Sequence, residues 1–266
     1  MTELTCIGSS YSLGEPLAVG TEVEQMRTSG IADEIGAAWI DIAPEFDTAP
    51  DPITATNRAL AQAIRDSAGK MPLIFAGDCM ASIGAAKGLW DCAGGDLGVI
   101  WYDAHGDFNT PETTPSGFVG GMPLAMLVGR GDLQYMQGVD LAPLNETDII
   151  ITDARDLDPA EGAALRASAI THLPNTRDLL TATLPDKPLY IHVDVDVLRL
   201  EDMPAVGYPA EGGPALADVA ATLERIARAG RVAGILFSLW NSDRATDNRP
   251  LKNVLRLVRA FVAGLA

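Results

Sequence analysis

Along the chain, short runs of apolar residues alternate with longer amphipathic stretches. Residues 4–7, 38–42, 72–76, 97–102, 148–152, 170–173, 189–195 and 233–239 are aliphatic or β-branched, and many are bounded by Gly, Pro or Asp, which predicts strands. Several of these runs are apolar throughout, as befits strands covered on both faces. Residues 53–67, 159–167, 215–229 and 250–263 carry helical spacing instead. In the last of them Leu251, Val254, Leu255 and Val258 fall on one side, with Lys252, Arg256 and Arg259 elsewhere on the turn. The alternation predicts an α/β fold: three αβα layers around a central, mostly parallel sheet of about eight strands. No repeat, low-complexity tract or linker interrupts the pattern, so one domain over residues 1–266 is expected. The longest stretch without periodicity, residues 106–122, is where function is expected, because long loops in compact folds usually carry it.

Composition narrows the partners. A chain of 266 residues with 47% hydrophobic content can bury a full core without disulfides. Lys+Arg 19 against Asp+Glu 36 gives a net charge of −17, which argues against nucleic acid or an anionic membrane as partner and leaves carboxylates for hard cations. The three cysteines, Cys6, Cys79 and Cys92, are too few and too odd in number for a disulfide framework and point to a reducing compartment. The opening MTELTCIGSS has neither the basic nor the apolar region of a signal peptide, and no apolar run reaches the ~18 residues of a membrane span. A cytoplasmic location without membrane contact is the expectation.

The candidate chemistry sits just past three strands, where open α/β sheets bind ligands. PLIFAGDCMASIG puts Asp78 and Cys79 there, GVIWYDAHGDFN puts Asp103, His105 and Asp107, and LYIHVDVDVL puts Asp194 and Asp196. Side chains two apart on extended backbone share a face, so each strand can aim its set into one pocket. The carboxylates would repel one another, and neither Asp-rich motif contains a Lys or Arg to neutralise them. A pair of divalent cations would, and carboxylate, imidazole and water donors suit Mn²⁺. Two such ions lower the pKa of a shared water and supply hydroxide. A lone Asp-x-Asp at a strand end is usually a solvated turn; both motifs in this order, each after an apolar strand, are what point to metal.

These motifs resemble those of the ureohydrolase family, which includes arginase, agmatinase and formimidoylglutamase. DAHGD and DVD are similar to its two metal motifs, GSSYSLGEPLAVG to its first strand and Gly-rich turn, and IFAGDC to its first metal segment. DFNTPETTPSGFVGGMP resembles the loop after the second metal motif, and MPAVGYPAEGG the segment that ends in a Gly pair. The resemblance implies an arginase-like fold and two Mn²⁺ ions. Asp103 and Asp194 would bridge them, His105 and Asp196 would hold one, and Asp107 and Cys79 the other. Cys79 stands where the family has His, and a thiolate is a poor match for Mn²⁺, which implies a weak, partly filled or differently selective site. Gly120 takes the place of a proton-transferring His in the loop. The carboxylate that meets the substrate guanidinium falls on Asp218, with Glu211 a less favoured substitute, and Arg199 replaces an Asp. His192 reads as packing beside the motif and His172 as structural.

TDARDLDPAEGAAL resembles the arginase segment that recognises a substrate α-amino group, with Asp158 and Glu161 on those positions. Asn109 and Ser116 fall on contacts to the α-carboxylate, while an adjacent Asn position is Phe118. Asp158 before Pro159 is equally a good helix start. The resemblance thus implies a metal-dependent amidinohydrolase. A metal-bridging hydroxide would attack the terminal guanidino carbon of L-arginine or Nω-hydroxy-L-arginine, with Asp107 and Asp218 in catalytic roles, giving ornithine and urea or hydroxyurea. The hydroxylated substrate is less basic and easier to attack, which fits the changes at Cys79 and Gly120. The alternatives are an agmatinase- or formimidoylglutamase-type hydrolase, or a non-catalytic metal-binding relative. A homo-oligomer is expected of the family.

Overall fold

The computed structural model describes residues 2–18 and 20–265; Val19, inside the Gly-rich stretch quoted above, lies outside the described residues. Strands β1 (Leu4–Ser9), β4 (Ala38–Asp41), β5 (Met71–Ala76), β6 (Gly98–Asp103), β7 (Ile149–Asp153), β8 (Thr171–Leu173), β9 (Leu189–Asp194) and β10 (Val232–Ser238) form one sheet. Its order is β4-β1-β5-β10-β9-β6-β7-β8, every pairing is parallel, and β2 (Tyr11–Ser12) with β3 (Glu15–Pro16) makes a small separate hairpin. Each predicted apolar run is a strand, within two residues of its expected bounds. The central strands are buried on both faces, which is why they read as continuous apolar runs.

Helices α1 (Glu22–Thr28), α2 (Ile31–Glu34), α8 (Leu216–Arg228) and α9 (Arg249–Gly264) cover one face. Helices α3 (Pro52–Asp66), α4 (Ala81–Cys92), α5 (Pro123–Leu127), α6 (Gln134–Gly138) and α7 (Pro159–Ala167) cover the other. α3 starts where the Asp51 carboxylate accepts the Thr54 N–H at 2.8 Å and Pro52 needs no donor, and α9 buries Val254, Leu257, Val258 and Phe261 along one stripe. α4 has no counterpart in the sequence reading. It is nearly apolar all round, and Gly84 and Gly88 lower its helix propensity. Those glycines are there for packing: a Cβ at Gly84 would stand 2.5 Å from the Asn57 carbonyl oxygen, and one at Gly88 2.7 Å from Ile64 Cβ, both on α3. Among the described residues no helix is long and apolar enough to cross a membrane.

Candidate metal centre and substrate cavity

Strands β5, β10, β9 and β6 are neighbours at the middle of the sheet, and their C-terminal ends lie level. Ala76 pairs with Ser238, Ser238 with Asp194, and Tyr102 with Val193, so Asp103 and Asp194 end their strands side by side. Each chain then folds back across the same rim. Asp194 Oδ1 accepts the Asp196 N–H at 2.8 Å, closing the tight turn Val195–Val197 that returns Asp196 to the rim. Asp103 Oδ1 accepts the His105 N–H at 2.8 Å, and its second oxygen takes the Trp101 indole N–H at 3.2 Å. Asp196 Oδ1 accepts the Ala104 N–H at 3.2 Å, which ties the two strand ends together. The His105 Nδ1 stands 3.1 Å from Asp196 Oδ2 and 3.4 Å from Asp103 Oδ1. Asp107 turns inward on a left-handed backbone, φ 46°, a conformation costing a non-glycine residue about 1 kcal/mol or more. Its buried Oδ2 has no hydrogen-bond partner among the described residues. Cys79 Sγ lies 2.9 Å from Asp194 Oδ2 and 3.3 Å from Ser238 Oγ. Asp78 steadies the loop that carries it, accepting N–H bonds from Leu13 at 2.5 Å and Met80 at 2.7 Å.

This arrangement is electrostatically loaded. Burial, then the neighbouring Asp196, pushes Asp194 up to about 7; burial, then Asp103, pushes Asp196 up to about 6. Burial and the charges of Asp103 and Asp194 hold Asp107 well above the usual carboxylate range. Burial opposes a charge on His105, yet hydrogen bonds to Asp103 and Asp196 outweigh it and raise the imidazole to about 12. Burial and the surrounding carboxylates likewise drive the Cys79 thiol well up. Such a cluster holds protons or cations, because its carboxylates cannot all ionise against one another. An orphaned inward oxygen on Asp107 and the oxygen–nitrogen trio of Asp103, His105 and Asp196, whose ligand atoms lie within 4.8 Å of one another, fit divalent cations.

A cavity of about 790 Å³ opens over this rim. Asn109, Ser116, Asp158 and Glu161 all face it. Asp158 Oδ2 accepts the Asn109 side-chain N–H at 3.0 Å, so the two form a polar pair on the wall. Ser116 Oγ accepts the Phe118 N–H at 3.2 Å in the exposed part of the loop. Glu161 is buried, and its oxygens already accept the Phe108 N–H at 2.9 Å and the Asp158 N–H at 3.1 Å. It therefore binds the metal loop to the start of α7 and has less to offer a ligand than its sequence position suggests. Asp156, absent from the sequence reading, also lines the cavity, 4.0 Å from His105 Nε2.

Asp218 is not where the resemblance put it. It sits in the first turn of α8, pairs with Arg177 at 2.7 Å, and is not among the residues that line the cavity. Glu211 is exposed and contributes only its carbonyl, which accepts the Arg155 Nε–H at 3.0 Å. Arg155, which belongs to no motif quoted for the metal site, holds this segment instead. It salt-bridges Asp153 and donates to the carbonyls of Val197 at 3.0 Å and Asp196 at 3.2 Å, clamping the chain after β9 to the end of β7. Gly213 leaves room for it, since a Cβ there would meet the guanidinium at 2.8 Å. The wall past the end of β10 is mixed: Leu239 and Trp240 are followed by Asn241, Ser242, Asp243 and Arg244, all of which line the cavity. Arg199 pairs with Asp202 at 2.8 Å, and the His172 Nε2–H donates to the Asp153 carbonyl at 2.8 Å as a strand-end brace.

Phe118 and Gly120 are one change rather than two. The Phe118 ring lies so close over Gly120 that a Cβ there would stand 2.4 Å from its edge, and it packs on Tyr208 with centroids 5.1 Å apart. Gly120→Ala is therefore expected to push the ring off its seat. In a double-mutant cycle with Phe118→Ala, kcat/KM should show a coupling of about 1 kcal/mol; strictly additive effects would show that the two positions are independent.

The sequence profile described as the arginase family matches residues 18–237. Arginase of Bacillus subtilis (strain 168) is 31% identical over 230 residues, covering 79% of this chain and 75% of that one. An Nω-hydroxy-L-arginine amidinohydrolase of Streptomyces lavendulae is 34% identical over 171 residues, 63% of this chain and 59% of that protein. A crystal structure of arginase from Bacillus subtilis superposes with a TM-score of 0.86 at 27% identity, covering 98% of each chain. Sheet order, strand-end motifs and these likenesses agree, and the chain belongs to the arginase family of ureohydrolases.

Proposed function

We propose that the protein is a divalent-metal amidinohydrolase acting on an arginine-like amino acid, with Nω-hydroxy-L-arginine its preferred substrate and Mn²⁺ its ion. The observation that carries the reading is the convergence of Asp103, His105, Asp107, Asp194 and Asp196 at one rim, with Asp103 common to both candidate ligand trios. Asp103 and Asp194 would bridge two ions, Asp196 and His105 would hold one, and Asp107 with Cys79 would hold the other. When bound, such ions neutralise the carboxylates and make water a nucleophile near neutral pH. The unpartnered Asp107 Oδ2 is placed to take a proton from the attacking water and return it to the leaving amine. Asn109 and Ser116 offer polar contacts for an α-carboxylate, and Asp158 a charge for an α-ammonium. The hydroxylated substrate is preferred because of Cys79 and Gly120: an N-hydroxyguanidine spends more time neutral than a guanidinium and is easier to attack, so it tolerates a weaker metal site and the missing loop imidazole. A relative that has lost its metal is disfavoured, because a chain with no use for metal has no reason to bury carboxylates against one another.

The test is a substrate panel in Mn²⁺ buffer: Nω-hydroxy-L-arginine, L-arginine, agmatine, guanidinobutyrate and formimidoylglutamate, scored for amine and urea-type products. The hydroxylated amino acid should have the highest kcat/KM. Asp158→Ala should cost amino-acid substrates about 2 kcal/mol in kcat/KM, the penalty for leaving an ammonium unpaired, with metal content unchanged. Agmatine turned over as well as the amino acids, or an unchanged preference in Asp158→Ala, would overturn the amino-acid reading.

A further inference from the structure

Beneath the rim, one buried residue is built like a ligand. His192 precedes Asp194 by two on β9 and so shares its face. It is fully buried, stacked on Trp101 with centroids 3.6 Å apart and planes 12° from parallel. Its Nδ1 lies 3.1 Å from the Tyr190 hydroxyl, and its Nε2 has no hydrogen-bond partner among the described residues. A buried imidazole nitrogen without a partner calls for an explanation. The surroundings supply one: a ring nitrogen of His192, an oxygen of Asp103 and the sulfur of Cys79 lie within 4.8 Å of one another. The chain thus lacks an imidazole in the loop after β5 and carries one on β9, beside the same sulfur and the same shared carboxylate. In the tautomer that donates Nδ1–H to the Tyr190 hydroxyl, Nε2 carries the free lone pair, the arrangement in which histidines bind metal. The stack on Trp101 fixes the ring plane.

We propose that Cys79, His192 and Asp103 form a thiolate–imidazole–carboxylate site for a borderline-soft divalent cation of the zinc type. It adjoins the harder corner made by His105 and Asp196, so the two halves of the centre select different ions. Sulfur with nitrogen suits Zn²⁺, while the oxygen-rich corner suits Mn²⁺. Asp194 Oδ2, 2.9 Å from Cys79 Sγ, is at hand as a fourth donor. Thiolate binding releases a proton, which goes to solvent as the metal enters.

The inference rests on the metal-centre reading and is independent of the substrate. Its test is X-ray absorption at the zinc edge, on full-length protein given one equivalent of Zn²⁺ and excess Mn²⁺, with elemental analysis after dialysis. One retained zinc per chain, bound by a sulfur and an imidazole, is expected. Cys79→Ser should remove the sulfur scattering. His192→Gln should remove the imidazole scattering and weaken zinc retention against a chromogenic chelator by about 100-fold or more, beyond the effect of losing an outer partner. His105→Gln should leave both signals in place. Zinc seen with oxygen and nitrogen only, or an imidazole signal that survives His192→Gln and disappears in His105→Gln, would overturn the proposal. If His192→Gln does not fold, the wild-type and His105→Gln spectra decide the matter. Hydroxyurea release by the Mn²⁺-loaded protein, measured on the same preparation, reports separately on the amidinohydrolase reading, which stands or falls without the zinc result.

Discussion

Asp103→Ala is expected to abolish measurable turnover and to strip metal from the protein. Asp103 is the carboxylate shared by both ligand trios, one with His105 and Asp196, the other with Cys79 and His192. Its oxygens also receive the His105 N–H at 2.8 Å and the Trp101 indole N–H at 3.2 Å, so it is held before any ion arrives. Removing it leaves two cations facing each other with less compensating charge and frees the His105 loop. Loss of a partner that merely orients a metal ligand costs 10–100-fold in affinity, so loss of this one should cost about 100-fold or more. Asp103→Asn, which keeps size and an accepting oxygen, controls for folding and should lose metal as well. Near-native turnover with full metal content in either variant would contradict the two-ion centre.

The second large effect is on stability. Asp194 and Asp196 are raised by burial to about 7 and about 6, against an ordinary carboxylate value near 4. The folded, metal-free chain therefore holds protons that the unfolded chain releases. The stability this contributes is complete below the unfolded value and is lost as pH rises through 6 and 7. His105, raised to about 12, acts in the same sense, its contribution fading as pH climbs above its unfolded value. Chelated protein should accordingly unfold at lower temperature at pH 8 than at pH 5. Cations bind the ionised carboxylates and compete with those protons, so their effect grows with pH. At a hundredfold excess over Kd each ion adds about 2.7 kcal/mol, so two should raise Tm by about 10 °C or more for a chain of this size. Calorimetry with and without Mn²⁺ at the two pH values checks this. Metal-free protein that grows more stable from pH 5 to pH 8 would contradict the buried, like-charged cluster.

Much of this was legible in the chain because the relevant signals are local. A strand buried on both faces announces itself as an apolar run, and a residue set two apart at its end shares a face whatever the rest of the fold does. That sufficed for the sheet and for bringing Asp103, His105, Asp107, Asp194 and Asp196 together. What was not legible depends on neighbours distant in sequence. α4 hides because its glycines answer to α3 and not to helix propensity. The resemblance implies Asp218 at the substrate head group, but Arg155 reaches across from the end of β7 to hold the segment before α8, and α8 carries Asp218 to Arg177 instead. The dependence of Gly120 on Phe118 needs the ring's position, and of the two N–H donors that occupy Glu161 one, Phe108, lies on a distant segment while the other, Asp158, caps its own helix. His192 reads as packing, and it does pack; its unpartnered Nε2 and the approach of a ring nitrogen to Cys79 and Asp103 appear only in three dimensions.

The central claim is that this rim hydrolyses the guanidino carbon of an arginine-like amino acid with the help of bound cations. The most direct measurement is ornithine and hydroxyurea released from Nω-hydroxy-L-arginine by the protein as purified, after chelation, and after restoration with Mn²⁺. The account predicts equimolar products, loss on chelation and recovery with the ion. No product from the Mn²⁺-loaded protein, or product formed equally well after complete chelation, would contradict it.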